Sequence, residues 1–297
     1  MIHEYALEPE LVASWHDRMQ FRFFIGQFGF GTGRVVSRYP KQWRELVWKN
    51  FEITFGGIVG EIARKRIEEL LVQLIVPEVS RTGLVWDDTL DWLHNAQYEH
   101  ARRHFHAILS RKNPGGHPDV ICGDDVLDGA PARWSAPGSV VVNRTAASMA
   151  KCIEPMLGCA AWVVFIDPHF RAFRPENLKP LSEFLKVIAA ASATSGVELH
   201  AGAGDWAAPW QDFKSTCEKY LPRIIPAGLT LLVRRWENRK GGDKLHNRYI
   251  LTDVGGVEFG VGLDEGDPGT TDDITLLSAD SYRRRLNDYT GSAPRLT

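Results

Sequence analysis

The sequence lacks a strong excess of charge, long apolar runs and a leader-like start. Its 297 residues carry a formal net charge of −2, so the composition as a whole does not mark a nucleic-acid-binding protein. A net charge near zero is still compatible with a local basic groove. The apolar runs at 70–76 and 160–166 are too short to cross a bilayer, and the first residues lack the basic and apolar regions of a secretory signal. These absences favour a cytoplasmic protein with no membrane segment.

Cysteine is also scarce. The four cysteines, whose spacings match neither a CxxC pair nor a zinc finger, are Cys122, Cys152, Cys159 and Cys217. We expect reduced, buried thiols of the kind found in cytoplasmic proteins.

Histidines are concentrated in a helix predicted for 87–109. His100 and His104 lie four residues apart and share a face, which is one arrangement that can bind a metal ion. The string is not HExxH, so we favour a packed or solvated helix face and expect no metal and no cofactor.

The first half of the chain, 1–138, is rich in aromatic residues and contains a second clear helical stripe at 58–76. The glycine-rich segment 26–33 is not followed by Lys-Ser/Thr, which favours a turn or hairpin over a phosphate-binding loop. A stretch rich in Pro, Gly and Asp at 113–138 predicts a long loop and a domain boundary. We therefore expect a mainly helical N-terminal region of unknown role.

The second half, 139–297, alternates between strand and helix patterns. Strands are predicted at 161–166, 196–200, 229–236, 244–252, 257–263 and 274–277, and helices at 175–193, 210–221 and 282–289. Such alternation is typical of an α/β domain with a mostly parallel sheet flanked by helices.

The segment 245–253, Leu-His-Asn-Arg-Tyr-Ile-Leu-Thr-Asp, combines residues suited to phosphodiester chemistry. On a strand, His246 and Arg248 project from the same face. The imidazole of His246 can act as a nucleophile and form a phosphohistidine, while the guanidinium of Arg248 can hold non-bridging phosphate oxygens. Asp253, at the strand's end, is a candidate to orient the imidazole or to supply acid–base chemistry.

This string resembles the HxKx4D motif of the phospholipase D superfamily, with Arg248 in the lysine position and Gly260 matching the family glycine. The resemblance covers about 140–289. It implies a phospholipase D-like fold and metal-independent catalysis by His246. It also places the pair Asp272-Asp273 roughly where the family has an acidic residue before the last core strand, and of the two we select Asp273.

The sequence departs from the family pattern at several positions. Arg248 replaces a lysine, and these two cations are not interchangeable. Val261 and Leu263 stand where the family has serine and asparagine, and acidic Asp264 and Glu265 follow. Only one motif is present, and members with one motif build a site from two chains. The resemblance therefore implies a homodimer in which one His246 attacks and the other protonates the leaving oxygen.

Further residues are candidates for substrate binding. Asp167 and His169 follow the first predicted strand, where α/β folds place ligands, although a turn-stabilising Asp-Pro is the alternative for Asp167. Arg235 and Trp236 belong to the basic-aromatic stretch 234–240, which suits a phosphate backbone and a stacked base but also a solvated loop. Glu265 and Asp273 complete this set.

These features predict a phosphodiesterase that acts on nucleic acid as a nuclease, and the resemblance extends to nucleases of restriction or phage defence. The alternative is a catalytically degenerate module that binds nucleic acid or phosphate as a subunit of a larger complex. Hydrolysis of a lipid phosphodiester is a weaker third possibility.

Overall fold

The structure is a computed structural model that describes residues 1–297 except 82, 130, 192–193, 195, 204–206, 237–246, 291–294 and 297, and the backbone alone at 290, 295 and 296. The chain divides into two compact units, Ile2–Pro137 and Gly138–Thr297, and Met1 groups with the second. Each unit has its own β-sheet with helices packed against it.

The first unit is built on a parallel sheet. Its described strands are β1 (His3–Leu7), β2 (Arg34–Ser37), β3 (Glu78–Val79), β4 (Ala107–Ser110) and β5 (Val120–Cys122). Its described helices are α1 (Pro9–Ser14), α2 (Arg18–Phe24), α3 (Trp43–Thr54), α4 (Glu61–Ile75), α5 (Trp92–Arg102) and α6 (Gly123–Asp128). The strands pair in the order β3-β2-β1-β4-β5, and each pair is parallel. The prediction of a mainly helical region is therefore wrong, because this unit is α/β.

Many of the aromatic residues of the first unit lie in its core. Trp15 stacks on Phe24 with ring centroids 3.9 Å apart, and both rings are fully buried. Trp43 is also buried and donates its indole N–H to the carbonyl of Leu7, so the indole is satisfied inside the core. In the glycine-rich segment, Gly33 has a left-handed φ of 72°, which fits the predicted turn.

The second unit has a mixed sheet. Its described strands are β6 (Ser139–Asn143), β7 (Trp162–Asp167), β8 (Gly196–Gly202), β9 (Leu231–Trp236), β10 (Arg248–Thr252), β11 (Gly256–Phe259), β12 (Thr271–Leu276) and β13 (Arg295–Leu296). Its described helices are α7 (Ala146–Cys159), α8 (Pro175–Ala191), α9 (Trp210–Tyr220) and α10 (Ala279–Thr290).

The strand order in this second sheet is β13-β9-β8-β7-β10-β11-β12-β6. Only the β7–β8 and β8–β9 pairs are parallel among these strands, and the others are antiparallel. The α/β class predicted for this half is confirmed, but the expectation of a mostly parallel sheet is wrong. Strands β10 and β11 form a hairpin, and β10 pairs antiparallel with β7, the outer strand of the parallel set β9-β8-β7.

Helix α8 packs on one face of the second sheet because its apolar side chains recur at helical spacing. Leu181, Phe184, Leu185 and Ile188 are all buried on this stripe. Phe184 stacks on Phe165 of β7 with ring centroids 5.6 Å apart. Among the helices within the described residues, none combines the length and apolarity needed to cross a membrane.

Candidate functional site

One edge of the second sheet gathers the ends of several strands. Strands β7, β8 and β9 are parallel and end there, and β11 ends there as well because it is antiparallel to β10. Strands β10 and β12 begin at the same edge. We call this the upper edge, marked by Asp167 at the end of β7 and Arg248 at the start of β10. Ligand sites in α/β folds form at the carboxyl ends of parallel strands.

Arg248 lies directly across from Asp167. Strands β10 and β7 pair in register at Tyr249↔Ile166, and the next step along this register places Arg248 opposite Asp167. By strand alternation both side chains belong to the sheet face that carries Phe165. The Nε atom of Arg248 is buried, and none of the described residues offers it a hydrogen bond. An unmet buried donor costs about 1–3 kcal/mol, so an anionic ligand there would remove a penalty.

Asp167 is a buried carboxyl group. It is 2% exposed, and its Oδ1 accepts the backbone N–H of His169 at 3.0 Å. Burial raises the pKa of Asp167 to about 6, the hydrogen bond from His169 and the charge of Arg248 oppose this rise, and the charge of Asp264 adds to it. The group therefore exchanges its proton near neutral pH, as groups in functional sites often do. The surrounding small cavity is mostly apolar and includes Phe165, Phe184 and Leu263.

The acidic residue of β12 that faces inward is Asp272, which the sequence analysis did not select. Asp272 is 2% exposed and accepts the backbone N–H groups of Val261 at 2.9 Å and Gly262 at 3.5 Å. The selected residue, Asp273, is exposed and lies on the opposite face of the strand. The alternation set by buried Ile274, two residues after Asp272, is the sequence signal that distinguishes the two carboxylates.

The segment after β11 is held by a second residue that sequence reasoning missed, Arg144. Its guanidinium pairs with Asp264 at 3.0 Å and passes close to Gly262 and Gly266, where an added Cβ would meet neighbouring side chains. Glu265, predicted to bind substrate, instead accepts the first backbone N–H of α7, that of Ala146, at 3.0 Å. The Glu265 carboxylate therefore holds this loop on the start of a helix.

Arg235 and Trp236 lie in a strand, as the pattern at 229–236 predicts, and not in a loop. They are the last residues of strand β9, and each is 4% exposed. Arg235 donates to the carbonyls of Gly202 and Ala208 and lies 5.1 Å over the ring of Phe213. The predicted contacts of these two side chains with phosphates and bases are therefore wrong, because both side chains are buried within the second unit.

The two histidines near the upper edge are separated. His169 is exposed in the loop that follows β7. His200 is 1% exposed and faces the other side of the sheet, where its Nε2 lies 2.8 Å from Glu198 and its ring is 5.4 Å from that of Trp236. The hydrogen bond from Arg234 is the main cause that lowers the pKa of Glu198 to about 2, so this carboxylate is a fixed partner for both.

Asp253 lies at the far end of β10 from Arg248. The two are five positions apart along the chain, or about 17 Å in an extended strand. Its Oδ1 accepts the backbone N–H of Ala161 at 2.8 Å and of Trp162 at 3.4 Å, which secures the start of β7. The structure does not bring Asp253 together with Arg248, and the described contacts of Asp253 are structural. Its predicted role toward His246 concerns a residue outside the described part of the chain.

His246 and the stretch 237–240 lie outside the described residues. The residue that follows His246, Asn247, is described and is anchored from its side chain. Its Nδ2 donates to the hydroxyl of Tyr249 at 2.8 Å and to Glu258 at 3.0 Å. The chain is thus fixed immediately after His246.

Metal-binding clusters are not evident in the part of the chain that the structure describes, where no group of three or more His, Cys, Asp or Glu residues is arranged for an ion. In the first unit, His100 is buried and its Nε2 lies 3.0 Å from Asp119 and 3.3 Å from Nδ1 of His104. His100 is therefore packed into a hydrogen-bonded cluster, as favoured from the sequence. No known family model and no curated protein matches this chain.

Proposed function

We propose that the second unit is a metal-independent phosphodiesterase that acts on nucleic acid as a nuclease. The observation that carries the proposal is the position of Arg248. It starts β10 two residues after His246, its Nε is buried without a partner among the described residues, and it lies across from the buried carboxyl of Asp167. A phosphodiester is the anion that fits a guanidinium fork beside a nucleophilic imidazole.

In this scheme the imidazole of His246 attacks phosphorus, the P–O bond to the leaving group breaks, and a phosphohistidine forms. A proton is delivered to the leaving oxygen by the His246 of a second copy, which is the reason for proposing a homodimer. Water then cleaves the P–N bond and restores the imidazole. Arg248 binds the non-bridging oxygens, where negative charge increases in the transition state.

The test is a cleavage assay on single- and double-stranded DNA and RNA in EDTA. The proposal expects cleavage by the wild-type protein and none by His246→Ala. Conserved folding of the variant is checked by circular dichroism, and light scattering reports the oligomeric state. Cleavage that requires an added divalent cation, or that survives in His246→Ala, contradicts the proposed chemistry.

The second candidate function is a module that binds phosphate or nucleic acid without cleaving it. It is favoured by Leu263, which is 6% exposed and lines the cavity of Asp167, so an apolar group occupies that wall. Under this alternative, the wild-type protein and His246→Ala bind oligonucleotides equally and neither cleaves them. Separate measurements of binding and cleavage on the same two proteins therefore distinguish the candidates.

A further inference from the structure

A groove of about 660 Å³ lies on the second unit beside helix α8. Its volume is within the range of sites that hold a drug-sized ligand, about 300–1,000 Å³. The residues that matter here are the exposed aromatic Phe173, the half-buried Tyr220, and the cationic Lys179, Lys186 and Arg223. The groove therefore combines aromatic faces with three cations and two carboxylates.

The groove borders the upper edge through two loops. The loop between β7 and α8 follows Asp167 and supplies Phe173. The loop between β11 and β12 supplies Glu265, and its Leu263 lines the cavity of Asp167. Two loops that follow strand ends at the upper edge therefore also line this groove.

The side chains of the groove differ in whether they already form ion pairs within the unit. Lys179 pairs with Glu265 at 2.8 Å, and Lys186 pairs with Glu183 at 2.7 Å. Arg223 is exposed, lies 5.4 Å over the ring of Tyr220, and forms no ion pair with a described residue. Phe173 is 53% exposed, so its ring is accessible from solvent. Stacking surface and at least one uncompensated cation are thus open to solvent.

We propose that this groove binds single-stranded nucleic acid, with a base stacked on Phe173 and the backbone phosphates near Arg223. This inference rests on the proposed function for its substrate class and specifies which form of nucleic acid is bound. A base can stack on a side chain only when it is unstacked from its neighbours, which a single strand permits and a duplex resists. Aromatic faces interleaved with cations are the usual means of binding single strands without sequence preference.

The experiment measures binding by fluorescence anisotropy, with a labelled single-stranded oligonucleotide, the matching duplex and a free mononucleotide as probes. Phe173→Ala is expected to weaken binding of the single strand about 5- to 150-fold, and Phe173→Trp to preserve it, because stacking contributes strongly for each base. Tyr98→Ala is the matched control: Tyr98 is 58% exposed and lies in the first unit. Its binding should equal that of the wild type.

Unchanged binding in Phe173→Ala overturns the inference. So does a mononucleotide that binds as tightly as the oligonucleotide, or a duplex that binds better than the single strand. An altered oligomeric state of Phe173→Ala with unaltered oligonucleotide binding would instead identify the groove as a contact between copies. The two proposals can fail separately. If the protein binds oligonucleotide through Phe173 but does not cleave it, only the proposed function is refuted. If cleavage requires His246 but oligonucleotide binding does not depend on Phe173, only the inference about the groove is refuted.

Discussion

Asp167 gives the most quantitative prediction, because its burial affects stability in a pH-dependent manner. Its pKa is raised from 3.8 to about 6, chiefly by burial. A carboxyl group with a raised pKa in the folded state is bound to its proton more tightly than in the unfolded state. The contribution of Asp167 to stability is therefore highest at acidic pH, decreases as pH rises from about 4 to about 6, and stays low above that range.

The size of this effect follows from the shift. About two pKa units at about 1.36 kcal/mol each correspond to about 3 kcal/mol of lost stability at neutral and alkaline pH. An asparagine keeps the shape and can still accept the N–H of His169, but it cannot ionise. We expect Asp167→Asn to gain about 2–3 kcal/mol relative to the wild type between pH 4 and pH 8. The free-energy cost of packing the asparagine amide is the same at both pH values. It therefore cancels when the effect of the substitution at pH 4 is subtracted from its effect at pH 8.

The assay is urea unfolding of both proteins across this pH range, with the free energy of unfolding obtained for the second unit. Asp273→Asn is the control, since Asp273 is exposed on strand β12 of the same sheet. Groups that do not interact with Asp167 titrate equally in both proteins and cancel in the difference. A stability difference between wild type and Asp167→Asn that is flat with pH would refute the reasoning from burial.

Three further predictions test the site and the sheet. Arg248→Ala should lower the rate of phosphodiester cleavage by at least about 100-fold, as measured by steady-state kinetics with an oligonucleotide. Arg248→Lys should give an intermediate rate, because an ammonium group keeps the charge but loses the two-donor fork. Asp253→Ala should lower the free energy of unfolding by about 1 kcal/mol, through the loss of two hydrogen bonds at the start of β7, and faster amide exchange there would identify the cause. Gly256→Ala should lower the free energy of unfolding by about 1–3 kcal/mol in thermal or urea unfolding, because its Cβ would lie 2.7 Å from a methyl group of Leu251. Gly196→Ala is the control, because a Cβ at that position would meet nothing within 4 Å.

The strands and helices of the second unit were largely predictable from the sequence because their apolar patterns are long enough to show a period. Helix α8 was predicted at 175–193 and is observed at Pro175–Ala191, and strand β9 was predicted at 229–236 and is observed at Leu231–Trp236. What periodicity could not give is sheet direction. The antiparallel pairing of β10 with β7 depends on tertiary contacts, as does the burial of Trp236 at the end of a strand.

The parallel sheet of the first unit was not predicted because its strands are short and buried on both faces. Strand β4, Ala107–Ser110, is buried at all four positions, and β3 has only two residues. Such strands show no alternation of apolar and polar residues and merge with neighbouring helical patterns. In the site, the choice of Asp273 over Asp272 failed for a related reason, since the predicted strand began at Ile274 and the alternation was not continued backward.

The pairing of β6 with β12 also constrains the order in which the chain can fold. Asn143 pairs with Thr271, about 130 residues further along the chain, whereas β4 and β5 pair across a short loop. Contacts between residues so far apart carry a large loop-closure entropy and slow folding. During synthesis, the residues of the first unit, Ile2–Pro137, emerge before any residue of the second sheet. Among the described strands, β6 pairs only with β12, so its backbone donors and acceptors have no strand partner until β12 has left the ribosome. An unpaired strand of this kind favours aggregation between nascent chains.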